Sequence, residues 1–214
     1  NQLANYVDAN VKTARKFSKK CRILMAESNN SKILQSSFYE IDILEIGGHH
    51  KGKRGKDSEN KQPTLLILST LEDNNYPQYV KLHTLTNYKG EPIEEYLKEK
   101  CLFDPTIVIN CDRDKAFFCL NKLAQLENSV VDYTKENHKL KWLNTFIGNI
   151  QSNINHLYRL VKKRDLPLFL SEQEWRINHR YSGKRIMDKV KKYISMSTPV
   201  TFKQITNSVL AYEK

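Results

Sequence analysis

Two aspartates at strand-like positions are the residues of this chain best placed to do chemistry. Asp42 lies inside EIDILEIGG (40–48), and Asp112 closes TIVINCD (106–112). Carboxylates are the hard oxygen ligands that Mg²⁺ and Mn²⁺ prefer. Divalent ions held about 3.5–4 Å apart can activate a water or a 3′-hydroxyl and stabilise the leaving oxygen of a phosphodiester. The metal expectation is therefore Asp42 and Asp112 with Mg²⁺ or Mn²⁺. Each acid also has a plainer reading: Asp42 as an outward-facing strand residue, and Asp112 as a turn or N-cap residue beside Asp114.

The elements that would carry these acids are legible in outline. SFYEIDILEI, PTLLILST, QYVKLHTL and PTIVINC are short runs rich in β-branched, aromatic and leucine residues, bounded by Gly, Pro, Asn and Asp. The first three follow one another without helices, and PIEEYLKEKC supplies a helix before the fourth. Helical periodicity then predicts Lys115–Leu126, Leu143–Lys163, Leu168–Asn178 and Lys184–Ile194. This is the element order of a ribonuclease H-like α/β domain, a mixed sheet with flanking helices, although other mixed folds share it. In that fold the first and fourth strands are neighbours, which would bring Asp42 and Asp112 together.

Ahead of the strands, Leu3, Tyr6 and Val7, then Val11, Ala14, Phe17 and Cys21, recur at helical spacing around an Asp8-Ala9-Asn10 turn. The second helix carries Lys12, Arg15, Lys16, Lys19, Lys20 and Arg22 with no acid among them, the face a helix-turn-helix would dock on DNA phosphates. A solvated basic helix packed on a larger domain is the competing reading. AESNNSK (26–32) is expected to be a linker.

The 214 residues carry a net charge of +11 at pH 7, which favours polyanionic partners. No apolar run approaches the roughly 18 residues of a membrane span, and the start lacks a signal-peptide core, so an intracellular protein working on genomic DNA is expected. The chain opens on Asn, suggesting a trimmed N-terminus. Cys21, Cys101, Cys111 and Cys119 form no CxxC pair and are expected to be reduced, mostly buried thiols. His49-His50 reads as a polar loop pair.

Several blocks resemble one family. EIDILEIGGHHKGKRG (40–55) is similar to the first catalytic block of Merlin-type insertion-sequence DDE transposases, and INCDRDKAF to their second, with Ala116-Phe117 as its Ala-aromatic pair. KKRDLPLFLSEQEWRINHRY (162–181) resembles the closing helix, VKTARKF the recognition helix and TPVTFKQI the C-terminal segment. The resemblance implies metal-dependent DNA cutting and joining, double-stranded DNA as partner, and a homodimer or larger assembly for synapsis.

Two departures stand out. Ile43 replaces the acid after the first catalytic aspartate, and Asn144-Thr145-Phe146-Ile147-Gly148 puts Ile147 where the third block has its Glu. Ile150 stands in place of that block's tryptophan. Asn144 or Asn149 could offer a neutral oxygen instead, whereas Glu136 and Glu172 fall outside the block. The expectation is a transposase-derived DNA-binding protein with impaired strand transfer; an active transposase and a protein-interaction module are the rivals. Lys51, Lys53, Arg54 and Lys56 after the first strand, and Lys162, Lys163 and Arg164 later, extend the expected DNA-contacting set. The expected layout is 1–28 helix-turn-helix-like segment, 29–35 linker, 36–181 ribonuclease H-like core and 182–214 C-terminal helical tail.

Overall fold

The computed structural model describes residues 2–47, 61–70, 76–112, 114–128, 140–157, 161–197 and 201. Its element order is α1 (Gln2–Tyr6), α2 (Val11–Asn30), β1 (Phe38–Ile46), β2 (Gln62–Thr70), β3 (Pro77–Thr84), α3 (Gly90–Lys100), β4 (Val108–Cys111), β5 (Gln125–Asn128), α4 (Lys141–Ser152), α5 (Leu166–Asn178) and α6 (Ile186–Met196). These fall into two compact units, Lys32–Lys163 and Asn1–Ser31 with Arg164–Lys214. Among the described residues no helix is long and apolar enough to cross a membrane.

The Lys32–Lys163 unit is built on a five-stranded mixed sheet of order β3-β2-β1-β4-β5. β1 runs antiparallel to β2 and parallel to β4, β2 is antiparallel to β3, and β4 is parallel to β5. This is the mixed α/β architecture expected of a ribonuclease H-like domain. Strand alternation sends Tyr39, Ile41 and Ile43 to one face, where they join Leu65, Ile67, Ile109 and Cys111 and pack against Ile93 and Leu97 of α3. Gly90 starts α3 against the segment after β4: a Cβ there would lie 2.8 Å from Cys119 Sγ and 2.9 Å from the Ala116 carbonyl oxygen. The opposite face of β1 carries Glu40, Asp42, Leu44 and Ile46 and is covered by α4.

The segment expected as one helix from Lys115 to Leu126 is instead a 3₁₀ helix, Lys115–Lys122, followed by β5. Leu120 and Leu123, three apart, suit the 3₁₀ repeat, and Gln125–Asn128 finds hydrogen-bond partners along the outer edge of β4. The helix expected from Leu143 to Lys163 is α4, which ends at Ser152 and continues as one π-helical turn, Asn153–Leu157. Ser152, Asn153 and Asn155 all compete with the helical backbone for hydrogen bonds.

In the other unit α2 extends through Ala26–Asn30, where a linker was expected. Tertiary packing overrides the polar sequence: Ala26 and Ile23 cluster with Leu168 of α5, and Asn29 Nδ2 donates to the Ser171 carbonyl at 2.9 Å. Residues from Arg164 onward group with the N-terminal helices in this unit.

Candidate active site

Asp42 and Asp112 come together because β1 and β4 are adjacent and parallel, with Ile41 opposite Cys111. Each acid is the next residue on its chain: Asp42 on the α4 face of β1, and Asp112 just past the end of β4. Cys111, next to Asp112 in the chain and opposite Ile41, senses both acids: burial first, then the charges of Asp112 and Asp42, push its thiol up to about 12. Asp42 Oδ1 accepts the N–H of Ile43 at 2.7 Å, and Asp112 Oδ1 accepts the N–H of Asp114 at 2.9 Å. The N-cap role falls to Asp114, whose Oδ1 accepts the Ala116 N–H at 3.0 Å. Asp112 thus closes a local turn just beyond β4, with its carboxylate at the strand's end.

Helix α4 sets what faces this pair. Near its start the N–H of Leu143 donates to Glu40 Oε2 at 3.3 Å, and near its end Gln151 Nε2 donates to the Glu45 carbonyl at 3.4 Å. Ile147, half-buried, lies one turn along α4 from Leu143 and from Gln151. The other flank of α4 holds Trp142, whose ring meets that of Tyr76 beside β3 at 5.9 Å. Asn144, Ile147 and Gln151 lie on the flank of α4 away from Trp142, at roughly 100° per residue. Asn149 falls on an exposed side, and Ile150 is fully buried under the helix.

The polar set is wider than the two aspartates. Glu40 and Asn110 are register partners on the same face, with Glu127 of β5 next in the row. Glu40 is buried, and its carboxyl is held up at about 7 by burial, against the pull of the Leu143 N–H. Asn110 Oδ1 and Asn144 Nδ2 are buried without a hydrogen-bond partner. These residues were missed in the sequence, although EIDIL alternates and so shows Glu40 sharing a face with Asp42.

Among the described residues no group of three His, Cys, Asp or Glu side chains is placed to hold a metal ion, so neither Glu40 nor Glu127 makes the pair a triad. Two carboxylates with a flanking carboxamide remain a fitting donor set for one hard cation, and the orphaned amide atoms of Asn110 and Asn144 mark a polar layer beneath α4.

The cations expected to contact DNA are spread over several elements. On α2, Lys12, Arg15, Lys16 and Lys20 are exposed, while Lys19 is half-buried with Nζ 4.0 Å from Asp165 Oδ1. Arg22 is engaged internally: Nε meets Glu172 Oε2 at 2.7 Å, and the guanidinium lies 4.0 Å over the Phe169 ring. Glu172 also pairs with Arg176 at 3.1 Å. Lys162, Lys163 and Arg164 are exposed, with Arg164 Nε 3.5 Å from Asp165 Oδ2. Lys51, Lys53, Arg54, Lys56, His49, His50 and Glu136 lie outside the described residues. The cysteines are free thiols, Cys101 and Cys111 buried and Cys21 and Cys119 partly so.

A comparison with curated proteins gave no match. Residues 38–178 match the ISXO2-like transposase domain, a span from the start of β1 to the end of α5 that takes in Asp42, Asp112 and Ile147; the chain belongs to that family of insertion-sequence transposases.

Proposed function

We propose that the chain is a transposase-derived DNA-binding protein, Merlin-like in its motifs, whose strand-transfer chemistry is impaired by a degenerate third block. Membership of a DDE transposase family implies DNA as partner and dependence on a divalent metal where the enzyme is active. The observation that carries the reading is that α4, tied to β1 at Glu40 and Glu45, carries Ile147 where the similar third block has its acid. Asp42 and Asp112 would hold one Mg²⁺ or Mn²⁺, which when bound lowers the pKa of a water or hydroxyl and stabilises a leaving oxygen. Isoleucine offers neither a ligand nor a base. The α2 cations Lys12, Arg15, Lys16 and Lys20, together with Lys162 and Lys163, supply phosphate contacts.

A second reading, an active enzyme, takes Asn144, whose Nδ2 is buried without a hydrogen-bond partner, as the source of a neutral oxygen ligand in place of the third acid. Nicking assays on duplex DNA in Mg²⁺ and Mn²⁺ separate the two. The impaired reading expects no cleavage by the wild-type chain and metal-dependent cleavage by Ile147→Glu. Wild-type cleavage abolished by both Asp42→Ala and Asn144→Ala would establish the active reading. DNA affinity should fall by about 10³-fold or more between 50 and 200 mM salt if six or more phosphates are neutralised. Lys16→Ala with Lys19→Ala should weaken binding evenly across sequences, and salt-insensitive binding would point to protein contacts instead.

A further inference from the structure

Helix α4 begins without a cap of its own. The residue before it, Leu140, is buried in the left-handed region at φ 69° and offers no side-chain acceptor. Within the helix the Asn144 N–H bonds to the Leu140 carbonyl at 3.0 Å, which leaves Leu143 in the first turn, where N–H groups have no acceptor on their own helix. The acceptor comes from 103 residues away: Oε2 of Glu40, which is only 4% exposed. Burying a carboxyl is costly unless it is hydrogen-bonded, so this contact compensates both groups at once.

The geometry points to Glu40 as a remote N-cap that positions α4, and with it Asn144 and Ile147, over Asp42 and Asp112. The inference rests on the proposed reading of those aspartates as a metal pair. Glu40 lies two residues from Asp42 on the same strand face, so the bond that fixes the start of the helix is built on the strand that carries the first acid. Gln151 fastens the far end to the Glu45 carbonyl. Between these two ties the helix stripe has one register over β1. Glu40 is a positioning residue here, acting through α4.

Amide hydrogen exchange on the wild-type chain is the first test. Leu143 should be protected roughly 100-fold or more relative to free peptide, although helix geometry alone leaves a first-turn amide open. Exchange of Leu143 near the free-peptide rate would overturn the cap. Glu40→Gln keeps an acceptor and should keep the protection, whereas Glu40→Leu should lose about tenfold or more at Leu143 with β2 amides unchanged. Equal acceleration in β2 would mean general destabilisation and would also overturn it.

The second readout is Mn²⁺ affinity by electron paramagnetic resonance. Ile147→Glu should tighten binding about tenfold or more. Adding Glu40→Leu should reduce that gain to under about threefold, and Glu40→Gln should restore it. An undiminished gain with Glu40→Leu would remove the positioning role. If none of these proteins binds Mn²⁺, the metal-pair reading fails, and the cap stands or falls on the exchange data alone.

Discussion

The two faces of the central sheet are built from the same strands on opposite principles. On the α3 face Tyr39, Ile41, Leu65, Ile67, Ile109 and Cys111 form a continuous apolar core with Ile93 and Leu97. On the α4 face the same strands present Glu40, Asp42 and Asn110, with Asp112 just beyond β4 and the buried Asn110 Oδ1 left unpaired. Close packing is worth several kcal/mol per large side chain, while an unpaired buried polar atom costs about 1–3 kcal/mol. The first face holds the fold, and the second gives up stability to hold polar side chains along the middle of β1 and the end of β4. A single substitution on either face should reveal this division.

The largest effect is expected on the apolar face. Ile41 is fully buried opposite Ile67 and Cys111. Ile41→Ala should cost about 3–4 kcal/mol in chemical denaturation, the loss of transfer free energy plus the cavity left behind. A cost below about 1 kcal/mol would show that this face is not the main core.

Next in size is a pH effect on the same face. His83 stacks on Tyr96 of α3 with ring centroids 4.0 Å apart, and burial holds its pKa down at about 4, with Glu99 opposing and Lys100 assisting. An unfolded histidine takes up its proton near pH 6.5, so between there and about pH 4 the unfolded chain binds a proton that the folded chain excludes. Stability should fall by up to about 3 kcal/mol as pH drops through that window and level off below it. His83→Gln should flatten this part of the stability profile; an unchanged slope would locate the acid sensitivity elsewhere.

Gly90→Ala should cost about 1–3 kcal/mol, since the added carbon meets the Ala116 carbonyl oxygen, a backbone atom that gives way only if the 3₁₀ segment shifts. Equal stability of glycine and alanine in thermal unfolding would mean that this contact relaxes freely.

How far the sequence discloses this division depends on the range of the interaction. Alternation in EIDILEI is local, so β1, its two faces and the placing of Asp42 follow from spacing. The neighbouring of β1 and β4 follows from element order. Where the deciding contact is distant, local pattern misleads. ESNN continues α2 because Ala26 and Asn29 meet α5, and Gln125–Asn128 is a strand because β4 offers an edge. Arg22 counts as one more cation in a basic helix until Glu172 and Phe169 are brought against it. Glu40 is visible as an acid beside Asp42, but its tie to Leu143 cannot be seen in either segment alone.

The smallest effect belongs to the acids, and its sign is the sharpest test of the comparison. Asp42, in the middle of β1, and Asp112, just beyond β4, each follow one member of a register pair, Ile41 opposite Cys111. Two like charges brought close on the proposed reading would repel in the absence of a cation. Asp42→Asn removes one charge and keeps the shape, so without metal it should leave stability unchanged or raise it by up to about 1 kcal/mol. A divalent ion reverses the order. Binding only to the folded chain with a Kd of about 1 mM, it would stabilise the wild type by about 1.4 kcal/mol at 10 mM Mn²⁺ and the variant by much less. Thermal unfolding of both proteins with and without Mn²⁺ reads the two signs together. If Asp42→Asn instead costs about 2 kcal/mol or more without metal, the carboxylate is part of the structural network of this face. The contrast between a face kept for packing and a face kept for chemistry would then dissolve.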